Sequence, residues 1–94
     1  MSEARPWQVW FRPEAQAELR AIPKPIAMRI LKKLTDLEKD PYGLDSTALV
    51  GDPARRRLRI GDYRVIYTLD HGKLIIWVVQ VGNRATIYTR LDHH

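Results

Sequence analysis

The sequence predicts an α+β fold, with an N-terminal strand and a helical hairpin packed on an antiparallel β-sheet. Three observations predict it. Apolar side chains recur at helical spacing between Pro13 and Leu37, and prolines split the run in two. From Arg56 onward β-branched and aromatic residues dominate. Two short glycine-containing connections divide that second half into strand-length pieces. At 94 residues the chain has room for one domain, residues 1–94, and buries about 65% of the surface its unfolded form exposes, enough for a core without metal or crosslink. Its 45% hydrophobic and 29% charged residues exclude disorder, a fibrous repeat and a disulfide scaffold.

The opening segment Trp7-Gln8-Val9-Trp10-Phe11 places Trp7, Val9 and Phe11 on one face at period two, which reads as a strand. Pro13 starts a helix whose face carries Ala15, Leu19 and Ile22, and Ile22-Pro23-Lys24-Pro25 stops it. A longer helix follows, with the stripe Ala27, Ile30, Leu31, Leu34 and Leu37 turned inward and Arg29, Lys32, Lys33 and Asp36 outward. Asp40-Pro41-Tyr42-Gly43 ends it, and residues 43–54 read as an extended loop. Strands are expected at Arg56–Ile60, Tyr63–Asp70 and Leu74–Val81, with a short one at Thr86–Thr89. Gly61-Asp62 is a two-residue hairpin signal, and Asp70-His71-Gly72-Lys73 is a turn whose glycine supplies a positive φ. Trp7, Trp10 and Trp77 read as core or sheet-face packing.

There is no cysteine, so disulfides, thiolate nucleophiles and zinc–cysteine clusters are excluded. His71, His93 and His94 are the only histidines, the last two at a terminus where tags are placed, which argues against a histidine-based metal site or triad. No metal or other cofactor is expected. The longest apolar run, Leu74 to Val79, is far short of a membrane span, and Met1 to Pro6 contain no apolar signal region. The expected location is the cytoplasm, with no membrane partner.

The net charge of +5 is uneven: residues 48–94 hold eight basic and four acidic side chains, and seven of the eight are arginine. Arg55, Arg56, Arg57, Arg59 and Arg64 fall within ten positions. Arginine's planar fork suits phosphate better than lysine's point charge, so a polyanion is the leading partner. A hairpin turning at Gly61-Asp62 pairs Ile60 with Tyr63, Arg59 with Arg64, Leu58 with Val65 and Arg57 with Ile66. One face then shows Leu58, Ile60, Tyr63, Val65 and Tyr67, and the other gathers Arg57, Arg59 and Arg64. Like charges placed opposite each other cost stability, and a bound anion would account for them. The alternative is a sheet edge blunted by solvated arginines. Arg84 returns just after the third strand and Tyr88 four residues later, the mixture that single-stranded nucleic-acid sites use.

The stretch Arg57-Leu58-Arg59-Ile60-Gly61-Asp62-Tyr63-Arg64-Val65-Ile66-Tyr67, followed by Val81-Gly82-Asn83-Arg84 and Ile87-Tyr88, resembles the RelE/ParE superfamily of bacterial toxins, in particular its RelE-like branch. Phe11, Leu19, Ile22-Pro23, Leu34, Leu37, Pro41 and Leu49-Val50-Gly51 agree with the family's strand–helix–helix opening. The resemblance implies the RelE-like microbial ribonuclease type of fold and a toxin held inactive by a cognate antitoxin with an acidic, amphipathic segment. It implies the ribosome and mRNA as further partners, the toxin entering the A site as an endoribonuclease and so inhibiting translation. Carried over by motif, Arg59, Arg64, Arg84 and Tyr88 are the catalytic positions, with Arg57, Arg56 and Arg55 binding substrate. The family often has lysine where this chain has Arg59. Arginine resists deprotonation, so the general base is open: the ribosome supplies most of the orientation and protonation help, or Tyr88 takes the proton, or the toxin is slow. Two other functions fit the same residues, a ParE-like inhibitor of DNA gyrase and a non-catalytic basic module that binds RNA or a partner.

Overall fold

The computed structural model describes residues 6–43 and 45–85. In chain order these form β1 (Gln8–Phe11), α1 (Pro13–Arg20), α2 (Lys24–Leu37), β2 (Ser46–Leu49), β3 (Asp52–Ile60), β4 (Tyr63–Asp70) and β5 (Ile75–Asn83). The strands make one sheet in the order β1-β5-β4-β3-β2. The β2–β3, β3–β4 and β4–β5 pairs are antiparallel, but β1 runs parallel to β5, matching Gln8 with Ile75 and Phe11 with Val78. The sheet is therefore mixed, with its first strand zipped to its last.

Period-two alternation in β1 holds: Trp7 is buried, Val9 and Phe11 pack against the core, and Gln8 and Trp10 face solvent. Trp10, 49% exposed, lies edge-on to Trp77 of β5 and outside the core. Pro13 occupies the first turn of α1, where its missing N–H costs no intrahelical bond, and the helix lays Ala15 and Leu19 against the sheet. It ends at Arg20, two residues before the expected stop, and Ile22 packs from the connection.

Helix α2 buries Ile30, Leu34 and Leu37, spaced i, i+4 and i+7. Leu31, expected on that stripe, is 37% exposed, so the buried face is narrower than the sequence implied. Both helices cover the same side of the sheet, where Leu58, Ile60, Val65, Tyr67, Ile76, Val78 and Val81 complete the core. Clusters of this kind contribute roughly 1.5–3 kcal/mol per fully buried large side chain.

Two expectations need correction. The segment 43–54, read as a loop, contains β2 and the start of β3, which begins at Asp52 and not at Arg56. The weakly patterned Ser46-Thr47-Ala48-Leu49 becomes a strand because β3 offers it an edge, and Gly51, at φ 83, turns the chain back. In the β4–β5 turn the positive φ belongs to Leu74 (φ 57) and not to Gly72; the Asp70 carboxylate accepts from the Lys73 N–H at 3.0 Å, and the turn tightens one step later. The short strand expected at Thr86–Thr89 lies outside the described residues, as do Tyr88, His93 and His94.

One buried polar chain joins β2 to the core. The Tyr67 hydroxyl donates to the Pro41 carbonyl at 2.6 Å, which leaves its lone pairs for the Ser46 hydroxyl; Ser46 Oγ in turn accepts from Arg56 Nε at 2.8 Å. The carbonyl can only accept, so the direction of the whole chain follows. Burial pushes the Tyr67 phenol above its ordinary value of 10.0, against the opposing pull of Ser46 and Arg56.

Candidate nucleic-acid interface

The β3–β4 hairpin has the register its sequence implies: Ile60 opposite Tyr63, Arg59 opposite Arg64, Leu58 opposite Val65 and Arg57 opposite Ile66. Gly61 sits at φ 59, the left-handed region that glycine enters without steric cost, and so the hairpin closes in two residues. Alternation then sorts the arginine run. Positions 56, 58 and 60 face the helices, while positions 55, 57 and 59 face the other side, where Arg64 joins them by pairing with Arg59. On β5 the same row holds Gly82, which sets no side chain beside Arg64.

The four described candidates on the outer side, and Arg84 beyond the end of β5, differ in what holds them. Arg64 is 8% exposed, and its Nη1 donates to the carbonyl oxygens of Gly61 at 2.8 Å and Tyr63 at 3.0 Å. The hairpin's own turn thus fixes one corner of the guanidinium, and these two bonds leave its Nε–Nη2 edge unused. Arg59 is exposed near the open rim of the sheet, where its backbone N–H bonds to the Asp45 carbonyl at 3.1 Å. Arg57, one row further along β3 and opposite Ile66, is partly buried. Arg84, exposed at the end of β5, is tied to the same turn through its backbone N–H, 2.8 Å from the Asp62 carbonyl, and lines a concavity of about 400 Å³ with Asp62, Asn83 and Ala85. Arg55 pairs its Nε with the Asp52 carboxylate at 3.3 Å.

Arg56 stands apart from the rest. It points to the helical side, donates to the Ser46 hydroxyl and, at 3.1 Å, to the Ser46 carbonyl, and lies 4.8 Å over the Tyr42 ring. Tyr88 lies outside the described residues.

A second cavity opens on the other flank of the turn. Arg29, Lys32, Lys33 and Asp36 of α2 face Asp45, Arg59, Ile60 and Gly61 across a cleft of about 860 Å³. Lys33 Nζ and Asp45 Oδ2 are 2.8 Å apart; this hydrogen bond, with the charge attraction behind it, lowers the Asp45 carboxyl below its ordinary value and raises Lys33 above its own. From the sequence the α2 cations read as a solvated helix face. Their spacing at i, i+3 and i+4 was the available signal, but only the fold shows that Arg59, at the rim of the opposite sheet face, borders the same cleft.

Paired guanidiniums on one sheet face, framed by a two-residue turn and a helical hairpin behind, invite comparison with known proteins. The pattern of the family described as the ParE toxin of type II toxin–antitoxin systems matches residues 9–88. The chain belongs to the RelE/ParE family of type II toxins. It is 30% identical over 92 residues to Toxin RelG of Mycobacterium tuberculosis, covering 90% of this chain and 99% of that protein. It is 35% identical over 80 residues to a putative RelE-like toxin of Escherichia coli, covering 83% of each. Among solved structures, the toxin of the M. tuberculosis RelBE2 toxin–antitoxin complex superposes with a TM-score of 0.75 at 23% identity, over 84% of this chain and 99% of that one. This RelE/ParE toxin therefore shares the RelE fold, as its α+β sequence pattern implied. No helix among its described residues is long and apolar enough to cross a membrane.

Proposed function

We propose that this toxin is a ribosome-dependent mRNA endoribonuclease that cuts in the A site and so arrests translation. The observation that carries the reading is the strand register that puts Arg57, Arg59 and Arg64 on one sheet face, with Arg84 tied to the same turn. The strand's own 2′-OH attacks the adjacent phosphorus in line, leaving a 2′,3′-cyclic phosphate and a 5′-OH. Arg64, oriented by its turn carbonyls, takes two phosphate oxygens on its Nε–Nη2 edge as charge builds. Arg57 shares that charge, and Arg84 stabilises the leaving oxygen. Tyr88 orients the base, and Arg55 extends the track along β3.

Proton removal from the 2′-OH falls outside what these guanidiniums do, because arginine keeps its proton. Arg59 therefore neutralises charge, and the ribosome supplies the orientation and much of the proton traffic. Free RNA should then be cut negligibly. An antitoxin with an acidic amphipathic segment would hold the toxin inactive, as the RelB partner in the related complex suggests, and the cytoplasm is where all of these partners meet.

The test is to map RNA 5′ ends in cells expressing the wild type and Arg84→Ala. Discrete new ends inside translated frames, present with the wild type and lost with the variant, are expected. Intact RNA with blocked replication would favour gyrase inhibition instead, the reading suggested by the ParE description of the matching family.

A further inference from the structure

We infer that the cleft between α2 and the β3–β4 hairpin is a second phosphodiester site, and that the RNA strand gripped at Arg64 continues across the Gly61-Asp62 turn to Arg29 and Lys32. The inference rests on the nucleic-acid reading of the arginine face and extends it to a surface outside the motif that carries the family resemblance.

Charge placement on α2 is the first argument. Stabilising charge patterns put acidic residues in a helix's first turn and basic ones in its last, or opposite signs at i, i+4. Helix α2 has neither an acidic first turn nor a basic last one. The residues three and four positions after Arg29 are Lys32 and Lys33, both of like charge. Such an arrangement costs the isolated helix a few tenths of a kcal/mol per pair. Lys32 and Asp36 are the one opposite-sign i, i+4 pair here, in the less favourable order with the cation N-terminal, and Arg29 has no carboxylate three or four positions away in either direction.

Pairing is the second. Four cations, Arg29, Lys32, Lys33 and Arg59, line the cleft against two carboxylates, Asp36 and Asp45. Asp45 is taken by Lys33. Among the described residues, neither Arg29 nor Lys32 makes a side-chain hydrogen bond or ion pair.

Continuity is the third. A Cβ placed on Gly61 would lie 3.8 Å from Arg29 Nη2, so the helix cation reaches to the hairpin turn itself. Arg59, whose register partner is Arg64, lines the cleft as well. Arg59 thus links its register partner Arg64 to the cleft that Arg29 and Lys32 line, and an 860 Å³ opening admits a nucleotide.

Salt-dependent binding tests this directly. The probe is a fluorescent single-stranded oligouridylate with 2′-O-methyl riboses, which cannot be cleaved by 2′-OH attack, titrated with full-length protein at several salt concentrations. Each phosphate contact on a single strand contributes about 0.7 to the slope of log affinity against log salt. The double variant Arg29→Ala/Lys32→Ala should flatten that slope by about 1.4, and the charge-conserving Arg29→Lys/Lys32→Arg pair should restore it. If the wild type is steeply salt-dependent and the double alanine variant matches it, the cleft assignment is overturned while the arginine face stands. If the wild type itself binds without salt dependence, the nucleic-acid reading fails first. A double variant that keeps its oligonucleotide slope but loses affinity for message-free small ribosomal subunits would also overturn the proposal, by assigning the cleft to ribosomal RNA.

Discussion

Replacing Arg64 by alanine separates the hydrogen bonds it makes to its own turn from the phosphate contact proposed for it. The guanidinium is 8% exposed and its Nη1 holds the carbonyls of Gly61 and Tyr63 at 2.8 and 3.0 Å. Hydrogen bonds to a charged group contribute about 1.5–3 kcal/mol each when buried, but both carbonyls sit at a hairpin end where water replaces the lost donor. The expected destabilisation therefore falls below that range, about 1–2 kcal/mol for the pair, equivalent to a fall in Tm of roughly 4–15 °C in a domain of this size. The catalytic loss should be larger, since removing one preorganised donor to a developing oxyanion costs about 10²–10³-fold, or 2.7–4 kcal/mol. Arg64→Lys keeps the charge without the two-pronged geometry and should fall between. The assay is message cleavage in a cell-free translation reaction, read by primer extension, beside a thermal melt followed by circular dichroism. Cleavage by a folded Arg64→Ala protein within tenfold of wild type would refute the role given to this residue.

Substitutions away from the arginine face probe the core and the turn. Tyr67→Phe removes the donor to Pro41 and leaves Ser46 without its acceptor, at a cost of about 1–3 kcal/mol in urea unfolding at neutral pH. Burial raises the Tyr67 pKa in the folded state, so its contribution is complete below the unfolded value of 10.0 and is lost as pH rises from there through the folded value. Wild type should thus lose stability more steeply than Tyr67→Phe above pH 10, and parallel alkaline curves would contradict the assignment. For Gly61→Ala the new Cβ meets Arg29 only at ordinary contact distance, so the cost comes from the backbone at φ 59, about 1–2 kcal/mol, measurable as a lower melting temperature. Leu34→Ala, 1% exposed beneath α2, should cost about 2–5 kcal/mol by denaturant titration, whereas Leu31→Ala, 37% exposed, should cost well under half of that.

Where local pattern is strong the sequence spoke clearly. The hairpin register at Gly61-Asp62 followed from turn chemistry and period two, and it alone placed Arg57, Arg59 and Arg64 together. β2 was illegible because Ser46-Thr47-Ala48-Leu49 has little intrinsic strand preference; it is a strand only by virtue of the edge that β3 presents. Arg56 was grouped with its neighbours by composition, although one step along a strand reverses the face. Its Ser46 partner lay in the segment read as loop, so nothing in the sequence announced the buried bond that draws it inward. Parallel pairing of β1 with β5 was hidden for another reason: no turn links the two strands, and only the closed core demands that they meet.

That last seam also sets a timetable. As the chain is made from its N-terminus, Trp7, Val9 and Phe11 have no strand to lie against until Ile75 to Val78 have emerged, and Arg84 cannot reach Asp62 before then. The arginine-bearing hairpin can close early, yet the surface around it stays incomplete through most of synthesis. A newborn copy thus keeps an incomplete sheet until Ile75 to Val78 are available, and any partner that recognises the closed surface meets it only after that seam forms.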